Sequence, residues 1–264
     1  MECMMDYHIH SMFSEDSNTP TNEIVSSAIN RGLSQICFTE HKDLDVFYKG
    51  TDYYKDRNYS IEIERLKDKY KGTIEIRKGV EVDFQEGTIP LFEDFLNKYS
   101  FDFVIASVHV LRHEFVDDNF FRKNDPDKSY KEYLEQVLSL SKRDSYDVAG
   151  HIDYAKRFGS EFLEFNPEKY RDMLIEILGN IIRNKKGIEL NTGGWRHSHG
   201  ESYPSEYILK LYRDMGGEII TIGSDAHIAG HVGFSIKRAI KLLEKIGFDG
   251  VYAFKNRMPQ KILF

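Results

Sequence analysis

Short apolar runs alternate with helical stripes along almost the whole chain. The runs Met4 to His8, Gln35 to Thr39, Ile74 to Val82, Phe103 to Val108, Val148 to His151, Gly187 to Asn191 and Glu218 to Gly223 read as strands buried on both faces. Between them lie amphipathic stripes. Ile24, Val25, Ala28, Ile29 and Leu33 share one helical face after Thr19-Pro20, with Gly32 near its end. Tyr170, Met173, Leu174, Ile177, Leu178, Ile181 and Ile182 follow the i, i+3, i+4, i+7 spacing after Asn166-Pro167. Tyr207, Ile208, Leu211, Tyr212 and Met215 repeat it after Pro204, as do Ile236, Ala239, Ile240, Leu243 and Ile246 before Gly247. Strand, polar loop and helix in repetition predict an α/β fold with a parallel sheet. An eighth run, Gly250 to Phe254, either completes that sheet or lies outside it. No linker or repeat divides the chain, so residues 1–264 are expected to form one domain.

Polar residues interrupt this pattern where the strands end. His8 and His10, Glu40-His41, Glu81, His109, His151, Glu189 with Asn191, and Asp225 with His227 each follow an apolar run. In an extended strand, residues i and i+2 point the same way, so His8 and His10 present two imidazoles to one side. In a parallel β/α barrel all strand C-termini open on one face, which brings these side chains together despite their separation in sequence. A lone histidine at a strand end is usually a hydrogen-bonded structural residue. Five histidine-bearing strand ends on one face ask instead for metal ions.

Composition narrows the setting. Hydrophobic residues make up 41% and charged residues 30% of the 264, ample for a core. No window approaches a membrane span, and Met1 to Met5 lacks the pattern of a secretory signal. Cys3 and Cys37 lie in or beside apolar runs, where a reduced thiol acts as a small hydrophobe, so a cytoplasmic protein is expected. The formal charge of −7 argues against a nucleic-acid partner and suits bound divalent cations.

Asp6-Tyr7-His8-Ile9-His10, Thr39-Glu40-His41, Gly79-Val80-Glu81, Ser107-Val108-His109, Gly150-His151-Ile152-Asp153 and Gly223-Ser224-Asp225-Ala226-His227 together resemble the motif series of the polymerase and histidinol phosphatase (PHP) family. In length, and in Glu189-Leu190-Asn191-Thr192 followed by Arg196, the chain is most similar to the stand-alone histidinol-phosphate phosphatases of that family. The resemblance implies a distorted (β/α)7 TIM-like barrel with its metal site at the C-terminal ends of the strands, leaving Gly250 to Phe254 outside the closure. It also implies three divalent metal ions. His8, His10, Glu81 and Asp225 would hold the first; Glu81, His109 and His151 the second; His41, His227 and Asp16 the third.

A shell of imidazole and carboxylate suits zinc, iron or manganese. Three divalent ions against three ligand carboxylates leave a net charge of about +3, which favours an anionic substrate. The expected reaction is hydrolysis of a small phosphate monoester by a metal-bridging hydroxide and without a phosphoenzyme, and the resemblance implies that the monoester is L-histidinol phosphate. Another phosphoesterase of the family, or a non-catalytic metal-binding module, are the alternative readings, and the complete ligand set disfavours the latter.

Arg157 and Arg196 follow strand ends and are expected to grip the phosphate. Replacing Arg196 should raise KM without touching metal content. Asp153, Asn191 and Glu40 are expected to orient ligating imidazoles. His231 reads as a loop residue in a Gly-rich setting; one of His113, His197 and His199 could protonate the leaving group, and none is assigned that role. Arg112 to Asp127 reads as a cover over the mouth, and Glu114 or Asp117 could pair with the substrate's ammonium.

Overall fold

The computed structural model describes residues 4–45, 47 and 53–264. Cys3 lies outside the described residues. Seven parallel strands form one sheet in sequential order: β1 (Met5–Ile9), β2 (Gln35–Lys42), β3 (Glu75–Asp83), β4 (Phe103–Ser107), β5 (Val148–Ala149), β6 (Gly187–Asn191) and β7 (Ile220–Gly223). The sheet closes on itself just beyond β7. Ile9 pairs with Ala226, His10 N donates to Ala226 O at 2.9 Å, and Asp225 N donates to His8 O at 2.8 Å. These closing bonds come from the HxH and SDAH segments themselves. Barrel closure and site assembly are therefore the same event.

The stripes expected to be helical are helical: Thr21–Asn30, Arg171–Arg183, Glu206–Asp214 and Ile236–Ile246. Gly247 ends the last in the left-handed conformation, at φ 104°. Three further helices carry weaker signals. Asp56–Lys69 buries only Tyr59, Ile63 and Leu66 from an otherwise charged run, Ile89–Lys98 buries Phe92, Phe95 and Leu96, and Pro126–Ser141 is capped by Asp125, whose carboxylate accepts from Lys128 N.

The eighth run pairs outside the barrel, as β8 (Gly250–Lys255) in an antiparallel hairpin with β9 (Met258–Leu263). The hairpin covers the end of the barrel opposite the strand C-termini. Its Phe254 packs on Phe103 at 4.9 Å between ring centroids, and Phe254 N donates to the hydroxyl of Tyr7 at 3.0 Å. That hydroxyl in turn donates to Gln35 Oε1. At the hairpin turn, Arg257 Nε donates to Asp147 Oδ2, while Asn256 N donates to Asp102 Oδ1 at 3.1 Å. Tyr7→Phe strips a buried donor and a buried acceptor of their partner at once, so it is expected to cost about 1–3 kcal/mol, read as a lower thermal midpoint.

The segment after β4 is folded rather than loose. A short ladder pairs Val110–Leu111 with Glu114–Phe115, and the helix Asp118–Lys123 follows, anchored by buried Val116, Phe120 and Phe121.

Candidate metal centre

Glu81, at the C-terminal end of β3, is the centre of the site. It is 1% exposed, and imidazoles surround both of its oxygens. Oε1 accepts from Ser107 Oγ at 2.6 Å and lies 2.9 Å from His151 Nε2 and 3.4 Å from His109 Nε2. Oε2 lies 3.1 Å from His8 Nε2, 3.1 Å from His41 Nδ1 and 3.5 Å from His10 Nε2. Asp225 completes this corner, with Oδ1 at 3.4 Å from His10 Nε2 and 3.8 Å from His8 Nε2. Asp225 sits at φ 54°, a left-handed conformation held by the closing bond of its N–H to β1.

The outer edge of the cluster joins the end of β2 to the segments that follow β1 and β7. Asp16 Oδ2 lies 2.9 Å from His227 Nε2 and 3.5 Å from His41 Nε2, and His10 stacks on both imidazoles at 4.1 and 4.3 Å. All nine residues expected to bind metal are thus brought together. The donor atoms of eight of them, all but Asp16, fall into overlapping groups: His8–His10–Glu81, Glu81–His109–His151, His8–His151–Asp225 and His10–His41–His227.

The atoms behind the cluster fix which imidazole nitrogens face inward. His8 Nδ1 is 2.6 Å from Glu189 Oε1, and a carboxylate only accepts, so Nδ1 carries a proton and Nε2 is the nitrogen that faces Glu81. Ser14 does the same for His10. Its Oγ donates to Glu40 Oε2 at 2.6 Å, accepts from His41 N at 3.0 Å, and lies 3.2 Å from His10 Nδ1. His8 Nε2, His10 Nε2 and Glu81 Oε2 are left buried with no hydrogen-bond partner. Lone pairs facing a carboxylate oxygen at 3.1–3.5 Å repel unless a positive charge lies between them. The donor set therefore fits divalent cations.

The electrostatics show that the surroundings of Glu81 favour positive charge. Burial alone would raise the Glu81 carboxyl, but His8, His109 and His41 hold it well below the usual range. Burial pulls His10 well below an ordinary histidine, and His41 and His227 push it the same way. His8 is raised well above the ordinary value, since Glu189, Glu81 and Asp225 outweigh its burial.

Four expectations about the surrounding residues need correction. Asp153 orients no imidazole; its Oδ2 accepts from Ser205 N at 2.9 Å and pairs with Lys156 Nζ at 2.9 Å. Asn191 steadies carboxylates instead, donating to Asp225 Oδ2 at 3.2 Å and Glu189 Oε2 at 3.3 Å. Glu114 is exposed and pairs with Lys123, while Asp117 caps a helix through Phe120 N, so neither faces the site. Glu40 acts through Ser14 rather than directly. The residue that does orient a ligand, Glu189, was visible as a strand-end carboxylate, but its partner could be named only once β6 was placed two strands from β1.

A cavity of about 630 Å³ opens above the cluster, lined in part by Glu15, Asp43, Phe115, Arg157, Arg196 and His197. Both expected arginines are on its wall. Arg196 NH1 donates to Ser224 O at 2.6 Å and NH2 to Asp225 O at 2.9 Å, so this side chain also holds the backbone of the Asp225 segment. Burial lowers His197 to about 4, with Arg157 and Arg196 acting in the same direction. It is therefore neutral near pH 7 while the cavity holds no anion. His199 lines a separate cleft, and His113 pairs with Asp45 at 2.7 Å on the rim.

Residues 6–193 match the family model of the PHP domain. The histidinol-phosphatase of Lactococcus lactis is 34% identical over 264 residues, covering 97% of this chain and 96% of its own length. A probable histidinol-phosphatase of Thermotoga maritima is 30% identical, covering 93% and 94%. The crystal structure of the Lactococcus lactis histidinol phosphate phosphatase, complexed with zinc, L-histidinol and phosphate, matches with a TM-score of 0.90 at 32% identity, over 98% of this chain and 99% of that one. With its barrel, its closing segments and its ring of imidazoles around Glu81, the chain belongs to the PHP domain family.

Proposed function

We propose that this chain is a metal-dependent phosphomonoesterase that hydrolyses L-histidinol phosphate to L-histidinol and phosphate. The observation that carries the reading is the convergence of buried, unpartnered imidazole and carboxylate atoms beneath a cavity walled by two arginines. The substrate follows from the relatives, one of which binds zinc, L-histidinol and phosphate in a barrel of the same shape.

His8, His10, Glu81 and Asp225 would hold one ion, Glu81, His109 and His151 a second, and His41, His227 and Asp16 a third. The number and this division are our assignment; His10 lies as near His41 and His227 as it does its own set. Divalent ions there supply Lewis acidity toward phosphoryl oxygens and lower the pKa of water. The chain's own groups do the rest. Glu189 and Ser14 aim His8 and His10, Ser107 fixes Glu81, and Arg157 and Arg196 bind and orient the phosphate by charge and hydrogen bonding. We take residues 1–264 as one domain and place the enzyme in the cytoplasm, where a free thiol such as that of Cys37 persists.

The test is phosphate release from L-histidinol phosphate, p-nitrophenyl phosphate and a short single-stranded DNA by purified protein of measured metal content. Release from the first at the highest kcat/KM is expected. Bound metal with no release from L-histidinol phosphate sinks the reading.

The two arginines should separate. Arg157→Ala is expected to raise KM by about tenfold with metal content intact, as loss of binding uniform to ground and transition states does. Against the expectation from the sequence, Arg196→Ala should raise KM and also lower metal content, because it releases the carbonyls of Ser224 and Asp225. Steady-state kinetics with elemental analysis would distinguish the two.

A further inference from the structure

We propose that Lys156 is a positioning residue that holds Arg157 and Arg196 together on one wall of the cavity. The inference rests on the assignment of those arginines to the phosphate. Lys156 is 2% exposed, and its ammonium reaches three oxygens across two loops. Nζ lies 2.9 Å from Asp153 Oδ2, donates to Glu201 Oε2 at 3.0 Å and to Ser202 O at 2.9 Å, and sits 5.3 Å from the centre of the Tyr203 ring.

The partners belong to the segments that carry the arginines. Asp153 and Lys156 precede Arg157 on the turn and short helix after β5. Glu201 and Ser202 form the returning leg of the loop that leaves β6 at Asn191 and carries Arg196. Asn191 N donates to Tyr203 O at 2.7 Å and Tyr203 N to Asn191 O at 3.0 Å, which closes that loop at its base. Asp153 Oδ2 grips the same leg a second time through Ser205 N. Lys156 is thus a strut between the loops after β5 and β6.

The arginines need such a strut. Arg157 and Arg196 line the same cavity, so their two like charges oppose each other when no anion lies between them. Arg157 contacts Tyr154 and Phe158 but no carboxylate within salt-bridge distance among the described residues. Without a restraint the two loops would separate and the phosphate would have to draw them back, weakening its binding. Lys156 is charged as well, but Asp153 and Glu201 pair with it, so it ties the loops without adding to the repulsion.

Metal-loaded enzyme carrying Lys156→Met, Glu201→Gln or Arg157→Ala is compared with the parent in steady-state kinetics on L-histidinol phosphate, product inhibition by inorganic phosphate, metal content and melting temperature. Lys156→Met is expected to raise KM and the phosphate inhibition constant together by about tenfold, with kcat changed by less than about threefold and metal content unchanged. Glu201→Gln removes one half-exposed partner and keeps the Lys156–Asp153 pair, so it should move both constants in the same direction by a smaller factor. It carries the test alone if Lys156→Met does not fold. A lower melting temperature with unchanged KM and phosphate inhibition in both variants would make Lys156 a structural strut only and overturn the proposal. If Arg157→Ala leaves both constants unchanged, the arginine assignment itself has failed, whatever the Lys156 variants show.

Discussion

Glu81→Gln is expected to reduce kcat/KM by more than about 10³-fold and to leave the protein deficient in metal, a larger loss than the 10–100-fold typical of residues that only support a ligand. The substitution keeps the volume and can keep the hydrogen bond from Ser107. What it removes is the negative charge at the one point where His8, His10, His41, His109 and His151 all converge. It also turns one oxygen into an amide nitrogen whose hydrogens occupy the space between the imidazoles. No other carboxylate in the cluster reaches as many imidazoles, so none can take its place. Elemental analysis and kinetics on the same preparation decide the matter: full metal content with activity within tenfold of the parent would remove Glu81 from the centre of the site.

Reading the strand ends together was enough to find this cluster, and the reason is physical. A barrel strand is apolar while it lies in the wall and turns polar where it reaches the open face, so ligands announce themselves as the first polar residues after each run. His8, His41, Glu81, His109 and His151 are all legible in that way. Asp16 is not, since it lies seven residues beyond the end of β1 and reaches His227 only because its loop folds back over the barrel mouth. The support behind the ligands is harder still. Ser14 acts on His10 through geometry local to one turn, and Glu189 acts on His8 across the barrel, so neither follows from spacing. The helix Asp56–Lys69 is faint for a different reason. It faces solvent over most of its circumference and shows the core only one residue per turn. The hairpin strand Met258–Leu263 has every residue exposed, so it lacks the alternation that marks a strand.

Gly223→Ala should produce the second large effect, by a route that removes no ligand. Gly223 ends β7 with its missing side chain facing the barrel interior, where an added Cβ would overlap Glu189 Oε1 and the Cβ of His8. Those two atoms belong to the pair that fixes the His8 tautomer at 2.6 Å. Neither can retreat cheaply, because the backbone of β1 is tied to β7 through Asp225 N and His8 O, and Glu189 also accepts from His151 N at 3.2 Å. The methyl group must therefore separate His8 from Glu189 or widen the closing seam of the barrel. Overpacking of this kind costs about 1–3 kcal/mol of stability, and a shift of a ligand by a fraction of an ångström to an ångström can cost on the order of 10²-fold in activity. A loss in kcat/KM of that size, together with a modest fall in melting temperature, is the expected result. Gly87→Ala is the control, for its Cβ would meet nothing within 4 Å and should change neither quantity. If Gly223→Ala proved as silent as Gly87→Ala, the His8–Glu189 pair would not be packed against the seam as described. The orientation of the first histidine of the HxH pair would then have to come from elsewhere.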